Sequence, residues 1–303
     1  MCSARGPLRR ALLPALAAVA LLATARGAMA QENYEIEVYP SATAAPDTLI
    51  LELHSNFTAR GQTLYVDGVA PTNRALHETV EGTMGLNRWM ELGAYVFTDE
   101  QRGLGTNLVG GSVRPRVRIP DAWAWPVGVS LSTELEYARP LFSEDTWTWE
   151  IRPIIDKYYG RWYLSLNPTV EHVLRGTSPP GGFRFTPSAK FSYDATQQIS
   201  AGLEYYASAG EGAGAIGGFD VDTITVPAGR GRPSFARAVD NDEILHIPHG
   251  ERQQVFAAVD LHVSPLWEFN FGVGIGTTAS TDRLMAKLIV GRSFALGSAS
   301  PMQ

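Results

Sequence analysis

The sequence predicts an all-β fold, an antiparallel transmembrane β-barrel of twelve strands. Three observations carry that expectation. First, long stretches alternate apolar and polar residues with period two, as residues facing lipid and lumen in turn must. The clearest stretch runs from Leu108 to Tyr137. Val109, Val113, Val117 and Ile119 share one face against Ser112, Arg114, Arg116 and Arg118. After a turn, Val127, Val129, Leu131, Leu135 and Tyr137 oppose Ser130, Ser132, Glu134 and Glu136. Second, every other connection is short, at 85–88, 120–126, 158–160, 195–197 and 264–266, whereas the intervening ones are generally longer. Outer-membrane barrels have this asymmetry between periplasmic turns and external loops. Third, Trp89, Trp123, Trp125, Trp162 and Trp267 fall beside the short turns and Trp147 and Trp149 near the opposite rim, the placement of two aromatic girdles. The competing reading is a soluble sandwich with tryptophan in its core.

Taken in order, residues 1–30 read as a signal peptide. Arg9 and Arg10 precede an apolar run from Ala11 to Ala23, and Ala28-Met29-Ala30 has the small-x-small form of a cleavage site. The run is shorter than the roughly 20 residues a transmembrane helix needs. Residues 31–46 form an amino-terminal periplasmic or plug-like segment, with a short strand expected at Tyr34 to Tyr39 and a flexible connection after it. The barrel is expected over 47–294, followed by a tail at 295–303.

The first barrel strand sets Leu49, Leu51, Leu53 and Phe57 against Ile50, Glu52, His54 and Asn56. The second, Arg74 to Met84, carries Glu78 among its outward residues Leu76, Val80 and Met84. A charge at the middle of the lipid costs about 2–4 kcal/mol, so a bulge, a register change or an interface position is required. Further strands are read at Trp89 to Phe97, the two arms of the Leu108–Tyr137 hairpin, Trp147 to Asp156, Trp162 to Glu171, Phe183 to Asp194 and Ile199 to Ala207. The last three are Gln254 to Val263, Trp267 to Gly276 and Arg283 to Phe294. Pro115, Pro153, Pro168 and Pro187 remove ladder donors inside these segments and suggest bulges or displaced strand ends. The Gly/Pro-containing section from Gly210 to Gly250 has room for an extra hairpin near Phe219 to Val226.

Composition narrows the partners. Of 25 basic residues, four arginines lie in the leader, so the mature chain has 21 against 31 acidic residues and a formal charge of −10. Nucleic-acid binding needs clustered Lys and Arg and is not expected. Outer-membrane lipids, the outer-membrane assembly machinery and a small-molecule solute are the expected partners. The one cysteine, Cys2, leaves with the leader, so neither disulfides nor thiolate metal ligands are available.

The early VYP (38–40) and LILELHSNF (49–57) segments, LNRWMELGAYVF (86–97) and QQISAGLEYYAS (197–208) resemble an outer-membrane β-barrel transporter family associated with the meta pathway of phenol degradation. That resemblance implies a passive channel or uptake protein for small solutes of apolar or aromatic character. It supplies no catalytic residues. A plugged structural or ligand-binding barrel stays open as an alternative, as does an outer-membrane hydrolase.

The chemistry-bearing positions are those expected to face the lumen: Arg114, Arg116, Arg118, Glu134, Glu136, Glu150, Arg152, Glu171, Arg184, Lys190 and Glu204. Three arginines on one face could favour an anion, but glutamates on adjacent strands could neutralise them. His246, His249 and Glu251 form the compact HIPHGE candidate for zinc, which reads better as a solvated loop; no metal site and no cofactor are expected. Asp99 and Glu100 read as loop charges, and His54, His77, His172 and His262 as dispersed single histidines. Ser130, His172 and Glu134 have the atom types of a hydrolytic triad without any pattern that joins them. No phosphate-binding, dinucleotide or nucleophile-elbow motif is present.

Overall fold

In the computed structural model the described residues are 33–66, 68–176, 183–210, 224–225, 252–278 and 280–296. Among them, twelve antiparallel staves form a closed barrel. They are β1 (Thr48–Arg60), β2 (Leu76–Asn87), β3 (Met90–Gln101), β4 (Gly105–Arg118), β5 (Gly128–Ala138) and β6 (Asp145–Tyr159). Then come β7 (Trp162–Asn167 and Val170–Gly176), β8 (Phe183–Phe185 and Ser188–Asp194), β9 (Ile199–Gly210), β10 (Arg252–Ser264), β11 (Trp267–Gly276) and β12 (Leu284–Ala295). Each stave pairs with its neighbours in sequence, and the ring closes where β12 pairs with β1, Phe294 against Leu49 through Met285 against Thr58. Closure leaves no unpaired strand edge, the condition for placing a sheet in hydrocarbon.

The wall is inverted relative to a soluble protein. Val80, Leu203 and Val273 are each more than half exposed, and Leu51, Val96, Leu131, Leu135, Phe191 and Ile275 stand beside them on the outer surface. Burying one such side chain from water is worth about 1.5–3 kcal/mol. An exterior built of them is therefore stable in lipid and not in water. The seven tryptophans lie on this exterior, in the two groups the sequence predicts. The inner face carries His54, Asn56, Thr79, Glu81, Thr83, Glu91 and Arg114, all buried.

Several local expectations are corrected. Val109 does not share the lipid face with Val113 and Val117; it is fully buried with Tyr34, Tyr95, Phe97 and Ala138. The cause is a bulge: Gly110 opposes Phe97 while Leu108 opposes Thr98, leaving Val109 as an extra residue that reverses the alternation. Gly110 and Gly111 permit it, since a Cβ would lie 1.9 Å from the Tyr137 carbonyl oxygen at the first and 2.4 Å from that of Tyr95 at the second.

The prolines do not shift register. Pro115 and Pro153 sit opposite Leu92 and Leu131 in continuous ladders. Pro168 and Pro187 interrupt β7 and β8, yet Val170 pairs Phe185 and Asn167 pairs Ser188 on the same register. Glu78 does face outward, but near the long-loop rim, opposite Ser55 and Thr98, with Ser55 Oγ 3.4 Å from its carboxylate. Residues Tyr34 to Tyr39 join no ladder. Beyond the barrel, Ile224–Thr225 pairs with Tyr65–Val66 of the β1–β2 connection. The signal-peptide region, most of the 210–250 section and the 297–303 end of the tail lie outside the described residues.

Candidate functional site: the barrel lumen

The lumen is occupied by the chain's own residues 33–46. Asn33 donates to Asp282 (2.8 Å) in the β11–β12 connection, at the long-loop end. Near the short-turn end the Ala44 N–H donates to Glu91 on β3 (2.6 Å). This extended segment therefore runs the height of the barrel before turning into β1. A lone extended strand exposes backbone groups that must be satisfied, and polar wall side chains do so. Asn56 Nδ2 donates to the Asn33 and Tyr34 carbonyls, Thr79 to that of Tyr34, Lys287 to that of Ile36, and Ser165 to that of Tyr39. The Tyr39 N–H donates to Asn167 and the Ser41 N–H to Asp156, both at 2.8 Å.

Alternation divides the segment into two faces. Ile36 and Val38 pack with Tyr206, Phe256 and Met285 from β9, β10 and β12. Glu35, Glu37 and Tyr39 turn the other way. The Arg114 guanidinium lies 4.3 Å and that of Arg152 4.7 Å from the Tyr39 ring centre, a cation–π arrangement.

Of the eleven charged positions singled out in the sequence, nine are held in ion pairs. Arg114 binds Glu81 (2.7 Å) and Arg116 binds Glu91, both pairs almost fully buried. Arg118 stands at the short-turn mouth and pairs with the exposed Asp121. Arg152 bridges Glu150 (2.8 Å) and Glu35 (3.3 Å). Arg184 bridges Asp145 (2.8 Å) and Glu171. Lys190 bridges Glu204 (3.3 Å) and Asp260 (2.8 Å), and Glu204 also takes Lys287. Glu134 accepts from Ser112. Glu136 joins Glu35, Glu37, Glu134, Glu150 and Arg152 around a cavity of about 60 Å³.

Glu81, Glu91, Tyr39, Lys287 and His54 were not anticipated as a set. Their signal was present in the inward alternation His77, Thr79, Glu81, Thr83 of β2, but the Arg114 partner of Glu81 comes from a strand that β2 does not pair with. Asp99 is no loop charge: it is buried in β3, 3.2 Å from His77 Nδ1. Ser130 and Glu134 face inward, whereas His172 pairs with the outward Trp149 and Phe183 and stacks on Phe183 (centroids 4.5 Å apart). The wall thus lies between His172 and the other two residues. His246, His249 and Glu251 lie outside the described residues.

An outer-membrane channel of Pseudomonas putida F1 shares this architecture, at 10% identity and a TM-score of 0.50, over 86% of this chain and all of that one. Its fold is that of an outer-membrane channel barrel. A KdgM porin in complex with disordered oligogalacturonate aligns at 10% identity with a TM-score of 0.45, covering 81% of this chain and 99% of the porin. A NanC porin aligns at 7% identity with a TM-score of 0.44, covering 80% and 98%. No protein-family model and no curated protein matches the chain.

Proposed function

We propose that this protein is a passive outer-membrane channel for small solutes, with residues 33–46 as a plug that sets its bore. The observation that carries this reading is the way the plug is held. It sits inside a closed, lipid-clad barrel by side-chain bonds and packing, without joining a ladder, so it can leave without unpairing the wall. The short-turn end is the periplasmic end, and the eleven charged positions together with Glu35 and Glu37 line the path of the solute.

Because Arg114, Arg116 and Arg152 are matched by carboxylates, they leave no excess positive charge. Around the cavity Glu35, Glu37, Glu134, Glu136 and Glu150 outnumber Arg152, so the path favours cations and neutral polar solutes over anions. The likeness to the phenol-pathway transporters points to an aromatic cargo, and the Tyr34, Tyr95 and Phe97 cluster at the long-loop end offers rings for one to meet. The dense hydrogen bonding of the plug favours a second reading, a permanently plugged structural or binding barrel.

Planar-bilayer conductance and liposome swelling of the full chain and of a variant lacking residues 33–46 separate the two. A channel shows small conductance in the full chain and a several-fold larger one in the deletion variant. Two folded barrels that both pass neither ions nor small solutes would overturn the proposal.

A further inference from the structure

Glu37 of the plug, His54 of β1 and Glu81 of β2 bring one imidazole nitrogen and two carboxylate oxygens within 4.8 Å of one another. His54 is fully buried and Glu81 nearly so. Neither ring nitrogen of His54 has a hydrogen-bond partner among the described residues, and neither has Oε2 of Glu37 or Oε2 of Glu81. His54 Nε2 stands 3.4 Å from Glu81 Oε2. That is the spacing of two donors sharing one ion: metal–ligand bonds of about 2.1 Å in tetrahedral array set donors roughly 3.4 Å apart.

The rest of Glu81 is already fixed. Its Oε1 accepts from Thr83 Oγ1 (2.6 Å), Tyr95 OH (2.8 Å) and Arg114 Nη2 (2.7 Å), leaving Oε2 turned toward His54. Outer-shell bonds of this kind orient a carboxylate ligand. Arg114 and Arg116 pair with Glu81 and Glu91, so neither of these ion pairs engages the Glu37 carboxylate.

We propose that Glu37, His54 and Glu81 bind one divalent first-row transition-metal ion, and that the ion straps the plug to the wall. Imidazole with two carboxylates suits Zn²⁺, which imposes no geometry of its own, and excludes a preference for Ca²⁺ or Mg²⁺, which take oxygen ligands. The strap rests on the plug reading of the preceding section; the ion site does not.

Tag-free, detergent-folded full-length mature chain is titrated with Zn²⁺ by calorimetry and with Co²⁺ by visible absorption, in a His246→Ala/His249→Ala background that removes the two closely spaced histidines of the HIPHGE stretch. One ion per chain is expected, with affinity weakened at least ten-fold by His54→Ala and by Glu37→Gln. Glu37→Gln lies on the plug and leaves the wall intact, and a retained heat-modifiable mobility shows that each variant is folded. No stoichiometric binding, or binding indifferent to both substitutions, overturns the site and leaves His54 as a simple partner of Glu81. Chelation by EDTA is then expected to raise single-channel conductance in the parent and not in Glu37→Gln. Binding without that rise overturns the strap alone, and neither result depends on whether the plug-deletion variant conducts.

Discussion

The two sides of the lumen hold the same fourteen-residue plug by opposite means. Toward β2, β3, β4 and β6 it meets charge: Glu81, Glu91, Arg114, Arg116 and Arg152 form buried pairs around the Tyr39 ring. Toward β9, β10 and β12 it meets Tyr206, Phe256 and Met285, with the buried Lys287 ammonium donating to the Ile36 carbonyl. There β11 makes room by presenting Gly274, where a Cβ would lie 2.5 Å from the Phe256 ring. The apolar side offers adhesion without direction, the charged side direction with a heavy desolvation cost. A buried ion pair adds little net stability but penalises any arrangement that separates it. The charged wall therefore sets where the plug sits, and the apolar wall keeps it there.

Deleting residues 33–46 removes both contacts and gives the largest effect, a several-fold rise in conductance read in planar bilayers. Next comes Glu81→Gln, which leaves the Arg114 guanidinium in the wall without its main counter-charge. A loss of about 3–5 kcal/mol is expected, measured by urea unfolding of the barrel in lipid. The same reasoning predicts that neutralising Arg114, Arg116 and Arg118 together lowers stability through Glu81 and Glu91 before it can report on selectivity. On the apolar side, Ile36→Ala should weaken plug docking by about 2–5 kcal/mol while the unfolding midpoint of the wall stays put; its signature is more frequent opening in single-channel records. Loss of wall stability in Ile36→Ala, or none in Glu81→Gln, would dissolve the distinction between the sides. The smallest effect belongs to Arg118→Gln. Its partner Asp121 is 85% exposed, so less than about 1 kcal/mol is at stake, with only a slight change in the salt dependence of conductance.

The wall was legible because one face of every stave meets lipid, and period-two patterning records that directly. Leu49, Leu51 and Leu53, or Leu131 and Leu135, can be placed from their neighbours in sequence alone. Where the pattern broke, a backbone event was responsible: Val109 changed faces because a one-residue bulge is invisible to a count of alternating residues. The inward positions were equally legible as positions, and their pairing was not. Arg114 finds Glu81 across two strand junctions and Arg152 finds Glu35 from a segment 117 residues away. The plug itself left the weakest trace. Tyr34 to Tyr39 alternates like a strand, but its partners are side chains scattered over β1, β2, β7 and β12, and no local pattern encodes those.

The course of residues 33–46 also constrains how the molecule is assembled. Asn33 lies at one end of the ring, and the chain enters β1 at the other. The polypeptide is threaded through a hoop made from its own later residues. Either β12 closes on β1 around a strand already laid in place, or that strand is drawn through the finished hoop from the short-turn end. In the first order, Lys287 of β12 meets the Ile36 carbonyl as the seam zips, and the thread serves as the mandrel on which the barrel is wound.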